Sequence, residues 1–369
     1  MLYFRIDKDN EQNVARLRHS RVVVLGAARS GVAAARLLKR HGAEVLLSDV
    51  QVLEKLPAEV GQLPAEGILL ETGGHSQAIF NADLAVLSPG IPRATPVVQE
   101  LMERGIPVVG ELEVASWFCR APMLAVTGSN GKTTTTALLG ALLQKQFNTV
   151  LVGGNIGTPL SALLLQRPYP DVVVVEVSSF QLESIVNFRP KVALITNLSP
   201  NHLDWYDTFE AYAAAKMRIA RNLTDADWLV TNREDALLQQ EAARLPGKKL
   251  TFAQDPSLGA DAYWQEHDLV LSAAGRREVV TVASPRLRGP HNRYNMAAAA
   301  LVAFLMGVSG EQIARTLEGF SGLPHRLEVV GRINQITFVN DSKATTVEAL
   351  RYALLSFEEP IVLIAGGKD

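Results

Sequence analysis

Read for its alternation of apolar and polar positions, the chain falls into short buried runs joined by loops and by stretches of helical period. Arg21–Leu25 carries four consecutive apolar residues after its arginine, the pattern of a strand covered on both faces. Gly26-Ala27-Ala28-Arg29-Ser30-Gly31 follows, and Val32, Ala35 and Leu38 then recur on one helical face. A second strand begins at Glu44 and ends at Asp49, so the chain opens with a strand–helix–strand unit of the nucleotide-binding kind. Leu84–Leu87, which runs into Ser88-Pro89-Gly90-Ile91-Pro92, and Val108-Val109 add strands. Residues 112–118 read as a helix leading out of this first unit near Arg120.

The pattern restarts at Met123. An apolar run enters Thr127-Gly128-Ser129-Asn130-Gly131-Lys132-Thr133-Thr134 and gives way to helical period over residues 135–143. Val150 to Val152 exits into Gly153-Gly154-Asn155-Ile156-Gly157. Four valines, 172–175, precede Glu176, as in a parallel sheet buried on both faces. Residues 192–196 deliver Asn197-Leu198-Ser199-Pro200-Asn201-His202-Leu203-Asp204. Phe209, Tyr212, Ala213, Ile219, Ala220 and Leu223 then share one helical stripe, and Lys216 falls on it. Gly289 to Asn295 precedes an apolar helix over residues 296–306. After Gly322 come a strand at 335–339, the stretch 340–346, a helix through Ala349, Leu350 and Ala353, and a strand at 361–365.

This order predicts an α/β protein with mostly parallel sheets in three units: 1–120, 121–322 and 323–369. The third is too short to bury a core of its own and is expected to be the truncated start of a further domain.

Composition changes little in this picture. In 369 residues, 36 basic against 38 acidic side chains give a formal charge of −2, which argues against a polyanionic partner such as nucleic acid. Cys119 is the single cysteine, so no internal disulfide forms and a reducing cytoplasm is expected. The first residues lack the basic-then-apolar pattern of a signal peptide, and no apolar run is long enough to span a bilayer.

The candidate chemistry sits where strands end. A strand, a Gly-rich turn closing in Gly131-Lys132-Thr133 and a helix make a phosphate cradle, with backbone N–H groups facing the anion, Lys132 as a point charge and the Thr133 hydroxyl able to hold Mg²⁺. Val126 stands where the general pattern of such loops has glycine. In the first unit, Ala28 stands where a dinucleotide fingerprint needs glycine, so a nicotinamide cofactor is disfavoured. A nucleotide diphosphate at the helix N-terminus fits, with Asp49 either contacting it or capping locally. The Pro-Gly-Ile-Pro loop after Leu87 either lines a crevice or simply turns.

Glu176 near the end of a buried strand must be paired or bound to a cation, and Mg²⁺ is the natural partner beside a phosphate loop. Lys216 on an apolar stripe either snorkels or has its pKa lowered, in which case the neutral amine can take up CO₂ as a carbamate. Asn292 and Asn295 either bind a base or cap the following helix.

Taken together, Thr127 to Thr133, Gly153 to Gly157, Glu176 to Glu183, Asn197 to Asp204, Tyr212 to Lys216, Gly322 to Arg326 and Asn340 to Thr345 resemble the Mur ligases over essentially the whole chain. The first unit is most similar to the D-glutamate-adding members. The resemblance implies an ADP-forming amide ligase acting through an acyl phosphate, with ATP and two Mg²⁺ ions. It places ATP on Gly128, Ser129, Asn130, Gly131, Lys132, Thr133, Thr134, Asn292, Asn295, Arg326 and Asp341. It places a UDP-linked substrate on Arg29, Ser30, Asp49, Ser88, Gly90, Asn155, Ser178 and Gln181, and D-glutamate on Lys343 and Thr345. The metal ions would be held by Thr133, Glu176, His202 and a carbamylated Lys216, and Lys132, Glu176, His202 and Lys216 would carry the catalysis. A monomer with small-molecule substrates, acting in the cytoplasm in peptidoglycan precursor synthesis, is expected.

Overall fold

The computed structural model describes residues 4–200, 205–344 and 347–366. The first sheet contains β1 (Arg21–Leu25), β2 (Glu44–Asp49), β3 (Leu69–Thr72), β4 (Leu84–Leu87) and β5 (Val108–Gly110), in the order β3-β2-β1-β4-β5. All four pairings are parallel. Successive residues of β1 divide between the two faces: Val22 and Val24 join one core cluster, Val23 and Leu25 another. Complete burial of each valine stabilises by roughly 1.5–3 kcal/mol, and this two-sided cover is why the run lacks alternation. The edge strand β3 has no fully buried residue, so hydrophobic pattern gives no sign of it.

The second sheet contains β6 (Met123–Thr127), β7 (Val150–Gly154), β8 (Val172–Glu176), β9 (Val192–Ile195), β10 (Trp228–Asn232), β11 (Lys248–Phe252), β12 (Ala262–Gln265), β13 (Asp268–Ala273) and β14 (Arg276–Thr281). Their order is β14-β13-β12-β11-β10-β9-β6-β8-β7. Pairing is parallel from β7 to β12 and antiparallel over β12, β13 and β14. The four valines of β8 alternate between the two faces, Val172 and Val174 towards one core and Val173 and Val175 towards the other.

The helix Pro290–Leu305 begins well before the apolar run that announced it, with Gly289 at its N-cap and proline in its first turn. Proline at that position fits because its missing N–H would have no partner there. Asn292 and Asn295 are therefore inside the helix, and the capping alternative is set aside. After Gly322 the chain forms the antiparallel hairpin β15 (Glu328–Ile333) and β16 (Ile336–Asn340), followed by the helix Val347–Leu354. Residues 361–366 join no sheet, and Val362 and Ile364 are exposed. The expected strand at 361–365 is not formed, because an apolar run becomes a strand only beside a neighbour that completes its ladder. Among the described residues, no helix is long and apolar enough to cross a membrane.

A carboxyl group joins the first two sheets. Glu113, fully buried in the helix Glu111–Ser116, accepts hydrogen bonds from the backbone N–H groups of Val186 (2.9 Å), Asn187 (2.9 Å) and Phe188 (2.8 Å), and from Trp117 Nε1 (2.8 Å). Two positions earlier, Glu111 accepts from the Ser161 N–H at 2.8 Å. Arg29 and Arg40 of the helix Arg29–Arg40 donate to the carbonyls of Gly157 and Leu165 across the same seam. Replacing Glu113 by alanine strands several buried donors at once. Equilibrium denaturation of Glu113→Ala is expected to show a loss of at least about 3 kcal/mol, whereas Glu11→Ala, on the exposed surface, leaves the midpoint nearly unchanged.

Candidate active site

The turn after β6 can be made only with glycine at two positions. Gly128 (φ +140°) and Gly131 (φ +81°) adopt backbone conformations that side chains disfavour. A Cβ at the first would overlap Thr196, and one at the second would overlap Asn295. Gly131 is also the N-cap of the helix Lys132–Leu143 and offers no side-chain cap, which leaves first-turn N–H groups available to an anion.

The loop is held from the neighbouring strand exit. Asn130 N–H donates to Asn197 Oδ1 (2.9 Å), while Asn197 Nδ2 (3.0 Å) and Thr196 Oγ1 (2.6 Å) donate to the Asn130 carbonyl. Ser129 Oγ donates to the Ser199 carbonyl (2.9 Å) and accepts from Ser199 N–H (2.9 Å) and Tyr212 Oη (3.2 Å). Lys132 Nζ folds back onto the carbonyls of Gly128 (3.0 Å) and Ser129 (2.9 Å). Burial lowers its pKa, with Glu176 opposing the shift and Arg326 adding to it.

Behind the loop lie two buried charged groups. Glu176 is 1% exposed. Its Oε1 accepts from Asn155 Nδ2 at 3.0 Å, and its Oε2 has no partner among the described residues. A buried carboxylate oxygen without a donor is expensive unless a cation meets it, so this position fits a Mg²⁺ ligand. Lys216 is 2% exposed, its Nζ 4.5 Å from the centre of the Tyr212 ring. Burial lowers its pKa to about 6, with Lys132 pushing the same way and Glu176 opposing. Of the two sequence alternatives, snorkelling is excluded: the amine stays inside.

Two cavities flank this centre. One, of about 310 Å³, is lined by Asn130, Gly131, Asn295, Arg326 and Asp341 among the residues expected for ATP. Asn292 stands behind Asn295, accepting from its Nδ2 at 3.0 Å. Asp341 Oδ1 accepts from Leu327 N–H (3.1 Å) and so braces the turn that carries Arg326.

The other cavity, of about 720 Å³, is lined by Arg29, Ser30, Asp49, Ser88, Gly90, Asn155 and Gln181. It opens where the strand order of the first sheet reverses, the usual ligand crevice of an open parallel sheet. Asp49 Oδ2 accepts from Ala27 N–H at 2.7 Å, so it shapes the loop at the cavity wall. Ser178 does not line this space. Its Oγ accepts from Gln181 N–H in a capping box, and it positions Gln181. Lys343 is exposed and lines neither cavity. His202 and Thr345 lie outside the described residues.

Several lining residues escaped the sequence reading. Asn232 ends β10 and Glu234 and Asp235 follow it, His291 and Tyr294 share the helix of Asn295, and Gln51, Lys55 and His75 ring the larger cavity. Asn232 to Asp235 and His75 lie at or just beyond strand ends, so the strand-exit rule that singled out His202 applies to them equally.

With this geometry in view, comparison with known proteins is decisive. Residues 126–303 match the profile of the Mur ligase middle domain, and residues 20–110 that of the MurD-like N-terminal domain. The chain is 41% identical over 372 residues to a UDP-N-acetylmuramoylalanine--D-glutamate ligase of Chloroherpeton thalassium, covering 96% of this chain and 80% of that protein. The chain belongs to the Mur ligase family. A ligase of the same name from Salinibacter ruber is 43% identical, covering 96% of this chain and 79% of its own. Among solved structures, MurF from Acinetobacter baumannii aligns at a TM-score of 0.58 and 21% identity, covering 91% of this chain and 71% of that one. UDP-N-acetylmuramate-alanine ligase from Thermotoga maritima aligns at 0.55 and 21%, covering 92% and 77%. These last two establish the Mur ligase fold alone.

Lys216 yields a measurable pH signature. Its folded pKa of about 6 lies below the ordinary 10.5, so between those values the unfolded chain binds a proton that the folded chain does not. Stability therefore rises with pH across that window. In CO₂-free buffer, the melting temperature of the native chain is expected to climb between pH 7 and 9.5 relative to that of Lys216→Met.

Proposed function

We propose that this chain is an ATP-dependent ligase of peptidoglycan precursor synthesis that joins D-glutamate to the alanyl carboxylate of UDP-N-acetylmuramoylalanine. The observation that carries this reading is the position of Asn155. It lines the larger cavity and also donates to Glu176. A substrate held in that cavity by its diphosphate can thus present its far end beside the phosphate loop.

The residues divide the work as follows. The first-turn N–H groups of the helix Arg29–Arg40 and the Arg29 guanidinium hold the diphosphate, while Asn155 and Gln181 orient the peptidyl end. Gly128 to Thr134 cradle the β- and γ-phosphates of ATP, whose base and ribose lie in the cavity of Asn295, Arg326 and Asp341. A carboxylate oxygen attacks the γ-phosphorus and ADP leaves. The amine of D-glutamate then attacks the acyl phosphate, loses a proton and expels inorganic phosphate. Such transfers depend on positioning and charge neutralisation. Lys132 supplies fixed positive charge, and its anchorage to the loop carbonyls keeps it from wandering. Mg²⁺, when bound, neutralises charge on the phosphoryl group, and Thr133 and Glu176 would hold it.

Two ions fit the reading if Lys216 reacts with CO₂. A buried neutral amine is the nucleophile that carbamylation needs; it adds to CO₂ and loses a proton, and the product is an anion able to meet a cation. His202 would complete that second position by family resemblance. We take residues 1–120, 121–322 and 323–369 as the UDP-substrate, ATP and amino-acid units, with Lys343 and Thr345 facing D-glutamate, and a cytoplasmic monomer as the working form.

Phosphate release is expected only when UDP-N-acetylmuramoylalanine and D-glutamate are both present. Equal release with another amino acid would assign the chain to a sibling ligase. Glu176→Gln should lower turnover by roughly 10²–10³-fold. Intact-mass measurement of bicarbonate-treated protein should show one added CO₂, lost in Lys216→Met.

A further inference from the structure

The larger cavity has two ends. One reaches Asn155 and Gln181, beside Glu176, where the reacting carboxylate must lie on the reading above. The diphosphate belongs at the N-terminus of the helix Arg29–Arg40. The nucleoside is then left with the opposite end, beyond β2 and β3, where Val50, Gln51, Leu56 and His75 line the wall. Val50 is 65% exposed, an apolar surface that a flat base would cover.

His75 is the only one of these four whose side chain can titrate, and its proton is fixed by geometry. Ser48 Oγ, on a fully buried residue, lies 2.7 Å from Glu71 Oε2 and 2.7 Å from His75 Nδ1. The hydroxyl has one proton to give. Glu71 also accepts from Ser76 N–H at 2.9 Å. Burial alone would raise its pKa, but hydrogen bonds from Ser76 and Ser48 outweigh that and hold it below the usual range. An ionised Glu71 can only accept, so Ser48 donates to it and must accept from His75. Nδ1 therefore carries a proton, and in the neutral imidazole this tautomer leaves the lone pair on Nε2.

We propose that His75 is the residue that selects the base of the nucleotide substrate. Its Nε2 lone pair accepts the N3–H of a uracil-type imide and opposes cytosine, whose N3 presents a lone pair instead. This role rests on the reading of the cavity as a uridine site. It differs in kind from that of Asp49, which is occupied with the backbone of Ala27 and Gln51. An acceptor with a fixed tautomer discriminates because the wrong base leaves its lone pair without a donor.

The test is calorimetric titration of the full chain with UDP, CDP and N3-methyl-UDP, repeated on His75→Ala, His75→Gln and Ser48→Ala. The native chain should bind UDP about tenfold more tightly than the other two, the equivalent of one hydrogen bond. In His75→Ala the three affinities should converge to within about threefold, through loss of UDP binding alone. Glutamine, which retains an acceptor, should restore part of the preference, and Ser48→Ala should weaken it by freeing the tautomer. Imidazole ¹⁵N shifts should report Nδ1–H in the free protein and move at Nε2 when UDP is added. Discrimination that survives in His75→Ala, or an equal loss for all three nucleotides, overturns the role of His75. Failure of the native chain to bind any of them overturns the uridine reading of the cavity itself.

Discussion

The larger cavity exists because two sheets are held at a fixed separation, and the buried Glu113 carboxyl is the firmest part of that joint. Three consecutive N–H groups and an indole N–H converge on it. Such a cluster has no slack, since moving one donor away leaves a buried oxygen and a buried N–H both short of a partner. Cavity walls drawn from both sides, Gly90 from the first sheet and Gln181 from the second, are thereby brought around one space. Among the described residues, the hairpin of β15 and β16 has no comparable attachment. Most of its apolar side chains are exposed, and Arg326 reaches the smaller cavity through a braced turn rather than through a packed core.

Within the second sheet, function occupies places where folding alone would choose otherwise. The four valines of β8 make a strand on hydrophobic grounds, and Glu176 then ends it with a buried carboxylate whose Oε2 has no partner among the described residues. Lys216 occupies an apolar stripe where leucine would pack better. A ligand that brings phosphate and cation together would relieve both positions at once.

Much of this was legible from sequence because the strand exits are chemically loud. Gly128 to Thr133, Glu176 and the inward Lys216 announce themselves through spacing, and the valine runs announce the sheet that carries them. Less visible were features set by partners distant in the chain. β3 is an edge strand with no buried face. The strands after residue 224 include polar hairpins whose pairing depends on neighbours rather than on apolar period. The helix Pro290–Leu305 starts in a polar segment because glycine and proline set its beginning. Ser178 looked like a ligand group, but its hydroxyl is engaged in a local cap, a competition that composition does not resolve. The run at 361–365 has the pattern of a strand and lacks the neighbour that would make it one.

The contact between the phosphate loop and the helix Pro290–Leu305 has a further consequence for how this protein can vary. Asn295 Oδ1 accepts from Thr135 Oγ1 at 3.2 Å, across 160 positions of sequence, and fills the space that a side chain on Gly131 would need. Behind it, Met296 to Phe304 are packed without room on any side. A change at the loop cannot be absorbed by letting that helix slide, since every residue on it would lose its place. The two segments thus keep their shape only together. A graft of the phosphate loop into another scaffold would bring a charged turn without the asparagine that gives it shape.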